Sequence, residues 1–312
     1  MKDLNSTSTP LPAMTGVTHI APTMEWQRSS DDLQLACRTW KGKPGLPVVA
    51  YLHGIEGHSL WFENTASALN SQGMTIYAPD RRGSGLNPRD RGNLSSYKVY
   101  LADVVVFLRK IAFDHLGHSI IVLGNCWGAK AASVICQKDY KSSTGQDVSL
   151  PIAGLVLSSP GIYTKVDYGM GTKLQIAYAS VVGDSGRNRK WPIPLDVEML
   201  TNNPTYQGFL KRDNLRLTEA TASFFVESFK LGKLAEKAAP AIEMPLLILQ
   251  AGADMIVDVD KLKGWYGKSP SAAKELRIFP DASHTLDFDS TWFKEYVHVL
   301  SEWILAQRPV VT

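Results

Sequence analysis

The chain has 312 residues, of which 44% are hydrophobic and 20% charged, which is the balance of a soluble globular protein and excludes a disordered or collagen-like one. A net charge of +3, from 33 Lys and Arg against 30 Asp and Glu, is too small to mark a nucleic-acid groove or a membrane-binding face. Three cysteines without paired spacing, Cys37, Cys126 and Cys136, argue against both a disulfide framework and a zinc site.

No apolar run approaches the roughly 18 residues that span a bilayer, and the polar first ten residues do not read as a signal peptide. A soluble, cytoplasmic protein without a bound cofactor is therefore expected. In chain order, β-rich runs at 24–27, 33–39, 48–52, 75–78, 119–123 and 152–158 predict strands. The runs at 48–52, 75–78 and 119–123 are almost wholly apolar, as strands covered on both faces of a parallel sheet must be. Between them, 60–71, 95–116 and 127–139 carry apolar residues at helical spacing, so the unit is βαβαβα. The rhythm breaks over 161–240, where Gly, Pro and Asn cluster and one long helical pattern begins near residue 218. It resumes with strands at 244–250 and 276–279 and helices at 259–267 and 291–305. An α/β core of 1–160 and 241–312 is expected, with 161–240 inserted as a mainly helical cap. This insertion holds eleven Lys and Arg against eight Asp and Glu, and its aromatics include Tyr163, Phe224 and Phe225. Sites tend to form where two units meet, so Trp127, Tyr163, Phe224 and Phe225 are the candidate substrate-binding residues.

The sharpest local signal is Gly124-Asn125-Cys126-Trp127-Gly128, between a predicted strand and a predicted helix. A nucleophile on such a turn is thrust above the sheet, and glycines two residues to either side let strand and helix approach closely. A phosphate loop is excluded, because only three residues separate the glycines and Ala131 stands where a Ser or Thr should bind magnesium. His53-Gly54-Ile55 ends the strand at 48–52, which places the Ile55 N–H beside the elbow. The Trp127 N–H would be the second donor to an oxyanion. Asp254 follows the strand at 244–250 and His284 follows the strand at 276–279. The order nucleophile, acid, base, each just past a strand, is how an α/β-hydrolase assembles its triad. Asp258 precedes the helix at 259–267 and is both the better N-cap and the alternative acid. His53, His58, His115, His118 and His298 read as loop or surface residues. Asp80 and Arg82 read as a buried pair bracing the turn at 83–85, and Cys37 and Cys136 as core packing.

On these motifs the chain resembles α/β-hydrolases of the monoacylglycerol lipase, lysophospholipase and serine aminopeptidase type, over about 48–303. The run Asp80-Arg81-Arg82-Gly83-Ser84-Gly85 and the segments Gly252-Ala253-Asp254 and Ala282-Ser283-His284 support it. The resemblance implies a mostly parallel sheet flanked by helices, with Cys126 as nucleophile, Asp254 as acid and His284 as base. Cysteine stands where that family carries serine. An acyl group on sulfur is a thioester, open to water or to another acceptor. The expected activity is thus hydrolysis or transfer of an acyl group from a small ester or thioester, including carrier- or CoA-bound forms. The basic run Arg187, Asn188, Arg189 and Lys190 is the candidate site for an anionic head group, with a solvated loop as the alternative. Lyase or cyclase chemistry on the same fold, and a binding protein that retains the pocket, remain the other readings.

Overall fold

The computed structural model describes residues 8–142 and 144–309. Its centre is an eight-stranded sheet of β1 (Thr23–Arg28), β2 (Gln34–Trp40), β3 (Val48–Leu52), β4 (Thr75–Pro79), β5 (Ile120–Asn125), β6 (Ile152–Ser158), β9 (Leu246–Ala251) and β10 (Lys274–Phe279). The order is β1-β2-β4-β3-β5-β6-β9-β10. The joins β1 to β2 and β2 to β4 are antiparallel, and every other join is parallel.

Alternation along the buried strands sorts their side chains to two faces. Val48, Ala50 and Leu52 of β3 join Val122 and Leu155 in one core. That core is covered by α2 (Tyr97–Asp114), α3 (Gly128–Ile135) and α9 (Val259–Gly267). Val49 and Tyr51 join Ile121, Leu123 and Val156 in the other, under α1 (Glu63–Ser71) and α10 (Phe293–Ala306). Both faces are apolar because both are covered, and this is why β3 and β5 read as near-continuous hydrophobic runs.

Between β6 and β9 the chain leaves the sheet. It forms α4 (Met170–Ala179), α5 (Gly183–Arg187), α6 (Val197–Leu200), α7 (Pro204–Arg212) and α8 (Ala222–Glu236), with β7 (Lys190–Pro192) pairing antiparallel to β8 (Glu219–Thr221). Helix α8 starts at residue 222 rather than near 218, because residues 219–221 are taken by the β7 pairing and Thr221 Oγ1 caps the helix from Phe224 N at 3.1 Å. Helix α3 ends at Ile135, short of the expected 139. Lys138 N donates to Ala241 O at 2.6 Å instead of to a helical carbonyl, and Asp139 turns to φ 58°.

The turn after β4 differs from the expected Asp80–Arg82 pair. Asp80 is fully buried and accepts from Ser59 N at 2.7 Å and Leu86 N at 2.8 Å. Arg82 points away to Asp103 at 2.6 Å and Asp31 at 3.0 Å. The buried carboxylate satisfies one backbone donor at the turn, Leu86 N, and one from the segment after β3, Ser59 N, while Arg82 finds other partners. Two of the histidines read as loop or surface residues lie in loops but are buried. His53 is held by Arg81 N, which donates to its Nε2 at 3.0 Å, and burial together with Arg81 lowers its pKa to about 3. His58 meets Asp213 at 2.8 Å, and Trp61 Nε1 donates to the same carboxylate oxygen at 2.8 Å.

Chain order places the site. From β3 the chain crosses to β4 on one side, and β5 returns to the other side of β3. The carboxyl ends of β3 and β5 therefore meet where the sheet reverses direction, with Leu52 beside Gly124. A crevice outside such a switch point is where open α/β sheets bind ligands.

Candidate active site

Strand β5 ends at Asn125, α3 begins at Gly128, and Cys126 between them has φ 48°. A non-glycine residue in the left-handed region is strained. Here the turn is held by Cys126 N, which donates to Ser158 O at 3.0 Å, and by Gly161 N, which donates to Cys126 O at 2.9 Å. The two flanking glycines have steric reasons. A Cβ at Gly124 would stand 2.7 Å from Ala129 Cα, and one at Gly128 would stand 2.1 Å from Leu52 O. The loop after β3 lies against the sulfur, since a Cβ on Gly54 would be 3.2 Å from Cys126 Cβ and 3.7 Å from Sγ. Arg81 Nη2 donates to Ile55 O at 2.7 Å and so ties that loop down. The Ile55 and Trp127 amides, on either side of Cys126, donate to no acceptor among the described residues.

His284 and Asp254 come in from the ends of β10 and β9. His284 Nδ1 donates to Asp254 Oδ2 at 2.8 Å. The carboxylate is held in turn by Ile256 N at 2.8 Å and Val257 N at 2.9 Å on Oδ1, and by Gln250 Nε2 at 2.9 Å on Oδ2. The Cys126 sulfur lies within electrostatic reach of the imidazole. Burial opposes a charge on His284, but the Asp254 carboxylate and the Cys126 sulfur outweigh it and hold the imidazole well above its ordinary 6.5. Burial likewise pushes Asp254 up, and His284 with the two backbone donors brings it below 3.8. Asp258 is engaged elsewhere: it caps α9 from Lys261 N at 3.1 Å and pairs with Lys261 Nζ at 2.9 Å.

A cavity of about 520 Å³ opens over Cys126, walled by Ile55, Trp127, Tyr163 and Phe225. That size is ordinary for a small-molecule site. Phe224, expected to line it, does not. It is 1% exposed and stacks behind Trp127 with ring centroids 5.5 Å apart, because successive residues of α8 point about 100° apart. Trp127 is fixed further by its Nε1, which donates to Ser228 Oγ at 2.7 Å, and by the Arg81 guanidinium 5.0 Å from its ring. The run from Arg187 to Lys190 does not border the cavity. Arg189 stacks on Trp191 at 5.0 Å and Lys190 pairs with Glu219 at 2.8 Å.

Arg81 reads in the sequence only as part of the run at 80–85, and three further participants, Gln250, Ser228 and Lys130, have no motif in the sequence. The last lies in the first turn of α3, four residues after Cys126, and borders the cavity. Only its closeness in sequence to Cys126 could have signalled it.

Residues 45–291 match the family model described as serine aminopeptidase, S33. The chain belongs to this family. Similar proteins include human monoglyceride lipase, 25% identical over 283 residues and 88% of each chain. Phospholipase YtpA of Bacillus subtilis is 24% identical over 254 residues, 80% of this chain and 91% of that one. Among solved structures, a soluble variant of monoglyceride lipase from Saccharomyces cerevisiae in complex with a substrate analog matches with a TM-score of 0.78. Its identity is 19%, over 94% of this chain and 98% of that one. The fold is therefore the α/β-hydrolase fold, a mostly parallel sheet flanked by helices. This S33 member carries cysteine, not the serine of the family's name, at the elbow. Among the described residues no helix is long and apolar enough to cross a membrane.

Proposed function

We propose that this S33-family protein is an acyl hydrolase that cleaves a small ester or thioester through an acyl-cysteine intermediate on Cys126. The observation that carries the reading is that one buried imidazole, His284, hydrogen-bonds the buried Asp254 carboxylate and lies within electrostatic reach of the Cys126 sulfur, which borders the cavity. Monoglyceride lipases and a phospholipase among its relatives favour an ester substrate.

In the reaction, Cys126 Sγ attacks the acyl carbonyl carbon while its proton resides on His284. The carbonyl oxygen becomes an oxyanion held by the Ile55 and Trp127 amides. Collapse breaks the bond to the alcohol or thiol, which leaves with the proton from His284. Asp254 keeps the ring oriented and stabilises its charge. Water, activated by His284, then adds to the thioester and releases the acid, regenerating the thiol. An acceptor other than water admitted to the cavity would give transfer instead. The segment 161–240 serves as a cap, contributing Tyr163 and Phe225 to the cavity wall.

The test is intact mass spectrometry during turnover of p-nitrophenyl butyrate and of a butyryl thioester. A butyryl adduct that maps to Cys126 and decays with release of butyrate is expected. Alkylation of Cys126 by iodoacetamide with no adduct or turnover on either substrate would point to a binding protein. Consumption of substrate without acid or acyl-acceptor product would point to lyase chemistry.

A further inference from the structure

The cavity carries a charge that the reaction above does not use. Lys130 of α3 is partly buried, borders the cavity and makes no salt bridge among the described residues. Its Nζ lies 3.5 Å, and its Cε 3.8 Å, from where a Cβ on Gly232 would stand, so the ammonium occupies space that α8 leaves free there. The other charged side chains on the same wall are already matched. Lys233 pairs with Glu236 at 2.9 Å and Lys261 with Asp258 at 2.9 Å, while Asp167 pairs with Lys173. Burial lowers the Lys130 pKa, and the Cys126 sulfur, Glu236 and Asp167 act from farther off to raise it. An ammonium withdrawn from water without a partner is unfavourable, and an incoming anion would remove that cost.

Resting on the acyl-hydrolase reading, we propose that the cavity selects esters or thioesters bearing a carboxylate or phosphate a few bonds from the scissile carbonyl, and that Lys130 pairs with that anion. The spacing follows from the helix. Lys130 stands in the first turn of α3, and helical side chains lean toward the helix N-terminus, here the elbow itself. The anion must therefore sit close to the reacting carbon. Ile193 and Leu195, which border the same cavity, leave an apolar wall for the rest of the substrate.

Two matched pairs locate the anion. Monomethyl adipate against methyl hexanoate places it on the acyl side, and 1-butyrylglycerol 3-phosphate against 1-butyrylglycerol places it on the alcohol side. In one pair the wild-type protein should favour the anionic member at least tenfold in kcat/KM. That ratio should fall at least tenfold in Lys130→Met and be retained in part by Lys130→Arg. A ratio near one in both pairs, or a ratio untouched by Lys130→Met, overturns the assignment. A binding measurement on the wild-type protein needs neither turnover nor a variant. Adipate or glycerol 3-phosphate should slow alkylation of Cys126 by iodoacetamide more than hexane-1,6-diol or glycerol does, and salt should weaken the protection. Anion protection without hydrolysis of any ester would refute the hydrolase reading and keep the Lys130 site. Hydrolysis without anion preference or protection would do the reverse.

Discussion

Replacing Asp254 by Asn keeps the shape of the carboxylate and reverses one of its two edges. The side chain is fully buried and all of its hydrogen-bond directions are taken. An Asn that keeps its oxygen toward Ile256 N and Val257 N turns its amide toward Gln250 Nε2 and His284 Nδ1. Gln250 cannot turn to accept, because the same Nε2 also donates to Ala251 O at 2.8 Å. His284 can adapt only by moving its proton to the other nitrogen, which then faces Cys126 with an N–H and can take no proton from it. The charge-assisted bond lost is worth about 1.5–3 kcal/mol, offset in stability by the desolvation that a neutral amide avoids. Reactivity should suffer more. A triad with its imidazole in the wrong tautomer loses about 10³–10⁴ in rate, or about 4–5.5 kcal/mol of barrier. Measured as kcat/KM on p-nitrophenyl butyrate, Asp254→Asn should fall by that factor, with Cys126 alkylation slowed as well. Asp258→Asn should stay within about twofold, because Asn caps a helix as well as Asp does. A loss under tenfold at residue 254, or an equal loss at 258, would refute the assignment of the acid.

Cys126→Ala should form no acyl adduct by mass spectrometry and melt within a few degrees of the parent, since Ala leaves the strained φ 48° unchanged. An adduct in that variant would move the nucleophile elsewhere. Gly128→Ala would place a Cβ 2.1 Å from Leu52 O and 2.6 Å from Leu52 C, both backbone atoms. Overpacking of that kind costs about 1–3 kcal/mol and here displaces the elbow, so melting temperature and kcat/KM should both drop. Gly264→Ala, inside α9 with nothing within 4 Å of the new Cβ, should instead raise stability by about 1 kcal/mol. The pH dependence of folding has two limbs. Asp254, with its pKa lowered in the fold, adds stability above its ordinary value of about 3.9 and loses it as pH falls through the lowered one. His284, raised well above 6.5, adds stability that is complete below about 6.5 and is lost as pH rises through the raised value. The gap in melting temperature between wild type and Asp254→Asn should be widest at about pH 4–6.5, narrowing in stronger acid and again in base. A gap that stays flat from pH 3 to 9 would contradict this coupling.

Patterns confined to a few consecutive residues were legible in the chain itself. The apolar runs of β3, β4 and β5 announce strands covered on both faces, and Gly124 to Gly128 announces an elbow, because strand burial and tight turns act on neighbouring residues. The positions of Asp254 and His284 after their strands were also readable, since a sheet of this kind presents its strand ends on one edge. Contacts across elements were not. Phe224 and Phe225 are identical in type and adjacent, yet the rotation of α8 sends one behind Trp127 and the other into the cavity wall. Asp80 and Arg82 look like a pair and separate, because the amides of Ser59 and Leu86 claim the buried carboxylate. Basic residues at 187–190 are conspicuous in the sequence and do not border the site, while Lys130, Lys233 and Lys261 do, and the last two have carboxylate partners. A helix or strand pattern records which face is buried; what that face meets depends on how elements far apart in the chain pack, and packing alone decides which charges find partners and which are left free for a ligand.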